Sequence, residues 1–322
     1  MIEHRTMRWG IYCLVVMAGL TGRVALAGYT QSENSTGQQN ATSATMDTYE
    51  HILKQDPSNQ TARNNEIETA IKEALAARRA GKNELALAFL LRANYWVRDS
   101  PELLTDLGIQ EEAMTLYYDA DSTLGKAQQL RPGDLKTIYA VARAKMELDQ
   151  VQASEDAWKA YLAQRPDDAS AHFGYGLLLQ MLQRPDEARA QFNRSIELSP
   201  QQSESYYRLG EIARNAGEDI QAKQFYEQAI EHDPAHAGAW TGLGILAYNA
   251  KEYNQAEQDL ERAVQDGPDF QTARYYHGLT LAKLGQKGQS KKELDISVKL
   301  AEAESAHKLQ SKQLSVTPYK PE

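Results

Sequence analysis

The sequence predicts an all-α protein, a solenoid of about seven stacked helix–turn–helix units. Three observations carry that expectation. Prolines fall at 132, 166, 200, 234 and 268, each 34 residues after the last. Laid out at that period, the chain has small residues in two fixed slots of every unit. The composition, 42% apolar and 25% charged over 322 residues, is rich in Leu, Ala, Glu and Gln and has no extended β-branched runs, which favours helix.

Residues 1–27 read as a secretory signal peptide. His4, Arg5 and Arg8 give a basic start, Gly10 to Leu20 an apolar core, and Ala25-Leu26-Ala27 a small-residue cleavage site. The apolar run is short of the roughly 20 residues a membrane span needs, so no membrane insertion is expected after cleavage. Cys13, the only cysteine, lies in that core, so the mature chain is expected to have no thiol chemistry. Loss of the leader removes three Arg and one Glu, leaving 32 basic and 43 acidic residues and a formal charge of −11. An acidic chain without a basic block argues against nucleic acid as a partner. An exported location, periplasmic or secreted in a bacterial envelope, is the expectation.

Residues 28–47, rich in Ser, Thr, Gln, Asn and Gly, read as a flexible polar linker. A capping helix region over 48–66 follows, its first helix stopped by Pro57. The repeats then run without a break in register as 67–100, 101–134, 135–168, 169–202, 203–236, 237–270 and 271–304. Residues 305–322 read as a polar helix end and a disordered tail.

Position 8 of the seven units is Ala74, Gly108, Ala142, Gly176, Gly210, Gly244 and Gly278. Position 20 is Ala86, Ala120, Ser154, Ala188, Ala222, Ala256 and Ser290. Position 24 is large: Leu90, Leu124, Trp158, Phe192, Tyr226, Leu260 and Leu294. Positions 4, 7, 8 and 11 share one face of a first helix, and 20, 24 and 27 share one face of a second. Short turns such as Asn215 to Glu218 make the two antiparallel, and small residues at 8 and 20 let their backbones approach. Neither helix buries its apolar face alone, so each pair must stack on the next. Ser100-Pro101-Glu102 has the cap residue and first-turn proline of a helix start.

These slots resemble the tetratricopeptide repeat, which has Trp, Leu, Gly and Tyr at 4, 7, 8 and 11, Ala at 20, an aromatic at 24, Ala at 27 and Pro at 32. The sixth unit carries most of the pattern in Trp240, Leu243, Gly244, Ala256, Ala263 and Pro268. The resemblance covers residues 67–304 and implies a right-handed α-solenoid that binds a protein or peptide partner. It departs at the ends: Glu73 and Arg98 in the first unit, and Arg274, His277 and Ser297 in the last, stand in slots the pattern reserves for other residues. Terminal repeats are often atypical because one face lacks a neighbour.

The resemblance also implies that first helices line a concave groove, with positions 2, 5, 9 and 12 facing into it. The candidate partner-binding residues are then Tyr139, Arg143, Phe173, Leu177, Tyr207, Glu211, Arg214, Tyr248 and Tyr275. Aromatic anchors of this kind dominate interface energetics. Gly174 and Gly242, at position 6 outside the packing slots, read as clearing room in that groove beside Phe173 and Thr241. The clamp of Lys and Asn with which some such domains hold a C-terminal carboxylate finds only scattered single matches in Lys72, Lys136 and Arg208, so that activity is not carried over.

No catalytic constellation is present. Pro234 interrupts the helical spacing of His232 and His236, which weakens a metal-site reading. His172 and His277 fall in packing slots. Acidic pairs such as Glu111-Glu112 read as solvated helix faces. No cofactor is expected, and the protein reads as a non-enzyme: an interaction scaffold holding a partner segment in its groove, in work that the resemblance extends to envelope, pilus or secretion assembly. A glycan-binding module stacking sugars on the same aromatics is the alternative.

Overall fold

The computed structural model describes residues 23–24, 36–311, 314–316 and 319. Among them are fifteen helices: α1 (Thr36–Gln55), α2 (Gln60–Arg79), α3 (Asn83–Trp96), α4 (Pro101–Ala113), α5 (Tyr117–Leu130), α6 (Leu135–Glu147), α7 (Val151–Gln164), α8 (Ala169–Met181), α9 (Pro185–Leu198), α10 (Ser203–Asn215), α11 (Asp219–His232), α12 (Ala237–Asn249), α13 (Tyr253–Asp266), α14 (Gln271–Lys283) and α15 (Lys287–Ser311). From α2 onward they form seven antiparallel pairs in the predicted order, each packed on the next. The solenoid expectation holds, and so does the Ser100 cap, whose hydroxyl accepts from Leu103 N–H at 3.2 Å.

The predicted leader lies outside the described residues except for Arg23–Val24 (β1), which pairs in parallel with Ser315–Val316 (β2). Of the predicted linker, residues 28–35 also lie outside them. The rest of that linker is not flexible coil, because α1 begins at Thr36. No proline or glycine interrupts residues 38–47. The distal half of α1 is anchored by fully buried Met46 and Leu53, and Arg92 takes both Asp47 and Glu50. A docked helix end supplies the nucleus that an isolated polar segment lacks. The first helix of the first unit also starts early, at Gln60, where the Asn59 side chain caps Ala62 N–H at 2.9 Å.

Every unit turns the same way. Position 15 has positive φ in all seven: Gly81, Thr115, Asp149, Gln183, Gly217, Lys251 and Gly285. The amide at position 16 donates back to the carbonyl at position 11, as in Leu116 to Glu111 at 2.9 Å and Glu218 to Ala213 at 2.9 Å. This is a Schellman end, which satisfies carbonyls the helix leaves open. Thr115, β-branched at φ +60°, is the most strained of the four non-glycine residues there. Thr115→Gly should raise stability by about 1 kcal/mol, read as a higher urea midpoint at unchanged slope; a lower midpoint would contradict the strain.

Position 4 secures the other end of the unit. Trp240 Nε1 donates to Pro234 O at 3.0 Å, Arg274 Nε to Pro268 O at 2.9 Å, and His172 Nε2, in its donating tautomer, lies 3.0 Å from Pro166 O. Arg274, a departure from the repeat pattern, thus fills the usual tryptophan's hydrogen-bonding role.

The glycines report how units interlock. A Cβ built on Gly108, Gly176, Gly210, Gly244 or Gly278 would sit 2.5–2.7 Å from the position-24 side chain of the same unit. Ser154 Oγ donates to Ala142 O at 2.7 Å, which places positions 20 and 8 side by side. Small residues at 8 therefore serve the approach to 20 and also seat the large residue at 24. Gly174 and Gly242 are corrected by the same geometry. A Cβ on Gly174 would meet Trp158 of the preceding unit at 2.7 Å, and one on Gly242 would collide with the Tyr226 ring. They are inter-unit packing positions and do not clear a groove. Tyr226 is clasped between Gly210 of its own unit and Gly242 of the next.

The polar extension after residue 300 continues α15, with Glu302 to His307 exposed. The tail expected to be disordered has Leu314, Val316 and Tyr319 packed against the hydrophobic cluster of the first two units.

Candidate functional site

The first helices form the inner layer. α2 approaches α4, α4 approaches α6, α6 approaches α8, α10 approaches α12 and α12 approaches α14, while no successive second helices of the pairs come comparably close. A stack that is tight on one side and splayed on the other curves toward the tight side, so the candidate groove lies along α6, α8, α10, α12 and α14.

The position-5 rings lie along it, but they are not free-standing. Tyr139 meets Trp158 edge to face at 5.0 Å and Tyr161 at 5.3 Å. Phe173 tilts on Phe192 at 5.7 Å, and Tyr207 lies 6.2 Å from Tyr226 and 5.0 Å from His236. All three are half-buried and lean on the position-24 ring of their own unit. The units with an aromatic at 24 are the three that combine it with an aromatic at 5 in the middle of the array. Such ring pairs add about 0.5–1.5 kcal/mol beyond area burial. Each keeps part of its surface exposed. Burial raises the hydroxyl pKa of Tyr139 and of Tyr207, so both stay neutral donors.

Tyr275 differs. Its unit has Leu294 at position 24, and Tyr275 is 42% exposed, its ring set perpendicular to that of Tyr276 at 5.4 Å. Tyr248 is half-buried between Tyr253 at 5.7 Å and Tyr276 at 5.9 Å. Tyr248, Tyr275 and Tyr276 form a tyrosine patch at the C-terminal end of the inner layer. Tyr276 at position 6 was not among the residues expected there; it is visible only once position 6 is known to face a neighbouring unit.

The charged candidates are paired along the array. Arg143 reaches Glu112 of the preceding unit at 2.7 Å. Arg214 pairs with Glu211 at 3.0 Å, and Glu211 also accepts the Tyr226 hydroxyl. Leu177 is half-buried against the central core. In the earlier units Asp106 is held by Arg78 at 3.3 Å and by Lys136 at 2.7 Å, a bridge over three successive first helices. Lys136, a scattered match to the carboxylate clamp, is thereby already engaged.

Glu111 and Glu112 are not solvated. They are 3% and 7% exposed, because α4 is enclosed by its neighbours. Desolvation raises Glu111 to about 8, against the Thr123 hydroxyl that favours the anion. It raises Glu112 to about 7 despite the nearby Arg143 guanidinium. Position 11 is a packing slot, so the repeat frame itself marks Glu111 as interior. Glu66, with no exposed surface and both oxygens lacking partners, is pushed up to about 8 by burial and by Glu50.

His232 stacks on Tyr206 at 5.1 Å, while the His236 ring accepts Ala239 N–H and faces Glu204 at 3.2 Å. The two histidines therefore serve different neighbours. His277 is half-buried, and desolvation lowers its pKa. Among the described residues no three His, Cys, Asp or Glu side chains are grouped to hold a metal ion, and no helix is long and apolar enough to cross a membrane.

Pairs of helices clasped by small-to-large contacts define a class, the α-solenoid repeat proteins. Two tetratricopeptide-repeat profiles match residues 139–203 and 213–284, so that stretch of the chain is made of tetratricopeptide repeats. Its structure is similar to a tetratricopeptide-repeat protein from Parabacteroides merdae (TM-score 0.61, 16% identity, covering 77% of this chain and 98% of that one). It is also similar to PilF of Pseudomonas aeruginosa (TM-score 0.56, 15% identity, 66% and 96%). A third likeness is to a chain of the APC/C hetero-tetramer Cut9–Hcn1 (TM-score 0.59, 16% identity, 85% and 53%). At these identities the likeness is one of fold. No curated protein sequence matches the chain significantly.

Proposed function

We propose that the protein is a non-catalytic scaffold that holds a segment of a partner protein along the inner layer of its repeats, with the tyrosine patch as the main anchor. The repeat matches support the general reading, since tetratricopeptide-repeat proteins bind protein or peptide partners. The observation that carries the location is Tyr275, an exposed ring on an inner helix that no position-24 aromatic claims. Tyr276 meets it at right angles and Tyr248 packs in turn on Tyr276, which suits an extended segment bearing apolar or aromatic side chains. Tyr139, Phe173, Leu177 and Tyr207 would continue the track with their exposed surface, and the Arg143 and Arg214 pairs would border it.

The leader pattern supports export, and the proposed setting is the assembly of an envelope, pilus or secretion complex. The test is a photoreactive residue at Tyr275, compared with one at Gln224 on the second helix α11, in native envelopes. A protein captured from Tyr275 and not from Gln224 is the expected result; equal capture from both would remove the groove. Tyr275→Ala should weaken binding of the captured partner about tenfold at unchanged thermal stability, because a truncated interface anchor costs on the order of 1–2 kcal/mol. Saturable glycan binding without any protein partner would favour the glycan-binding alternative.

A further inference from the structure

The described part of the C-terminal tail lies on the first two units, whereas the candidate groove residues stand on α6 to α14. Leu314, Val316 and Tyr319 join the cluster built on Met46, Leu53, Leu87, Leu90 and Leu116. The Val316 amide donates to Asp119 Oδ2 of α5 at 2.8 Å, across 197 residues of sequence. The Tyr319 ring packs edge-on against Tyr95 of α3 at 5.9 Å. Its hydroxyl is placed beside Arg92 of α3, the residue that also holds Asp47 and Glu50 of α1. One short segment thus meets α5 through a backbone amide and α3 through an aromatic ring, its aliphatic side chains join the cluster, and Ser315–Val316 also pair with Arg23–Val24 of β1.

The receiving surface has features beyond a chance contact. Asp119 sits in the first turn of α5, half-buried, and burial raises its pKa while the Val316 amide opposes that rise. The Asp119 carboxylate thus supplies one acceptor for the docked backbone, and the apolar cluster receives the side chains. Leu314 and Val316 are two residues apart, so in an extended chain they fall on one face, and Tyr319 follows three residues later.

We propose that the seam between α3 and α5 is a peptide-binding site, filled in cis by the chain's own tail. The class of ligand is an extended segment with aliphatic residues at alternate positions and a tyrosine three residues on. The tail competes with any such segment offered by another molecule, because a tethered occupant acts at an effective concentration that a free peptide must exceed. The site is on a different surface from the inner layer, so it stands or falls apart from the groove.

The test uses the full chain. A Val316→Asp, Tyr319→Ala variant undocks the tail without altering the receiving helices, and its circular dichroism should match the parent. A fluorescent peptide of residues 311–322 should bind this variant saturably, one per chain, and the parent at least tenfold more weakly. Asp119→Ala in the undocked variant should weaken the peptide at least fivefold, and Tyr275→Ala should leave it unchanged. In the parent, Asp119→Ala should speed exchange of the Val316 amide proton at least tenfold. No saturable binding, equal binding to parent and variant, equal binding of a peptide carrying the same two substitutions, or an unprotected Val316 amide in the parent would each overturn the proposal.

Discussion

Gly242→Ala should destabilise the array by about 2 kcal/mol or more, although alanine is the better helix former by about 1 kcal/mol. The new methyl would occupy space held by the Tyr226 ring. That ring cannot withdraw. Gly210 of its own unit already abuts it, and its hydroxyl is bound to Glu211, itself paired with Arg214. The decisive comparison is a double-mutant cycle. With leucine at position 24 the slot tolerates a methyl, since Leu124 is followed by Ala140 at position 6. Gly242→Ala should therefore cost less than 1 kcal/mol in a Tyr226→Leu background, giving a coupling above 1 kcal/mol in urea denaturation. Additive effects would show that the glycine is tolerated and not required. Gly174→Ala against Trp158 should behave in the same way.

The second large effect is on pH. Glu66 and Glu111 have pKa values raised to about 8 by burial. Below the ordinary carboxylate range both folded and unfolded chains hold these protons. As pH climbs from about 5 to 8, the unfolded chain has released them and the folded one has not. The folded state then binds more protons, so its stability falls across that window and levels off above it. Each tenfold difference in proton affinity is worth about 1.4 kcal/mol, so the loss should reach a few kcal/mol. Glu66→Gln and Glu111→Gln need no proton. Each should leave the urea midpoint little changed at pH 5 and raise it at pH 8.5, flattening the profile. A parent profile flat from pH 5 to 8 would show that these carboxyls are not held neutral.

Much of the architecture was legible because period and slot size are properties of single residues. Prolines, small residues at 8 and 20 and large ones at 24 placed the helix pairs in register. What sequence reading missed were relations between units. Position 6 looked like surface on its own helix, and only the Trp158 or Tyr226 ring of the preceding unit makes it interior. Tyr139, Phe173 and Tyr207 looked like a groove ladder, yet each leans on an aromatic that stands nineteen residues later in the same unit. The pairing of aromatic 5 with aromatic 24 was visible in those columns, but its meaning required knowing that the side chains meet. The charge of Glu111 suggests surface, whereas its slot makes it interior. The start of α1 at Thr36 could not be read from periodicity, since its stability comes from contacts of its far end. The docking of Leu314, Val316 and Tyr319 joins segments some two hundred residues apart, beyond the reach of any local pattern.

The alternation of bulky and vacant sites at unit boundaries also bears on how such a chain can evolve. Exchanging, duplicating or deleting one 34-residue module keeps every hydrogen-bonded turn intact, yet it brings the wrong partners face to face. A copy of the sixth unit inserted after itself would set a bare glycine against Leu260 and leave a void, while the fifth without its successor would strand a tyrosine ring with nowhere to go. Modules that look interchangeable by length are therefore keyed, and viable recombinants should be those that transfer a ring together with the gap that receives it.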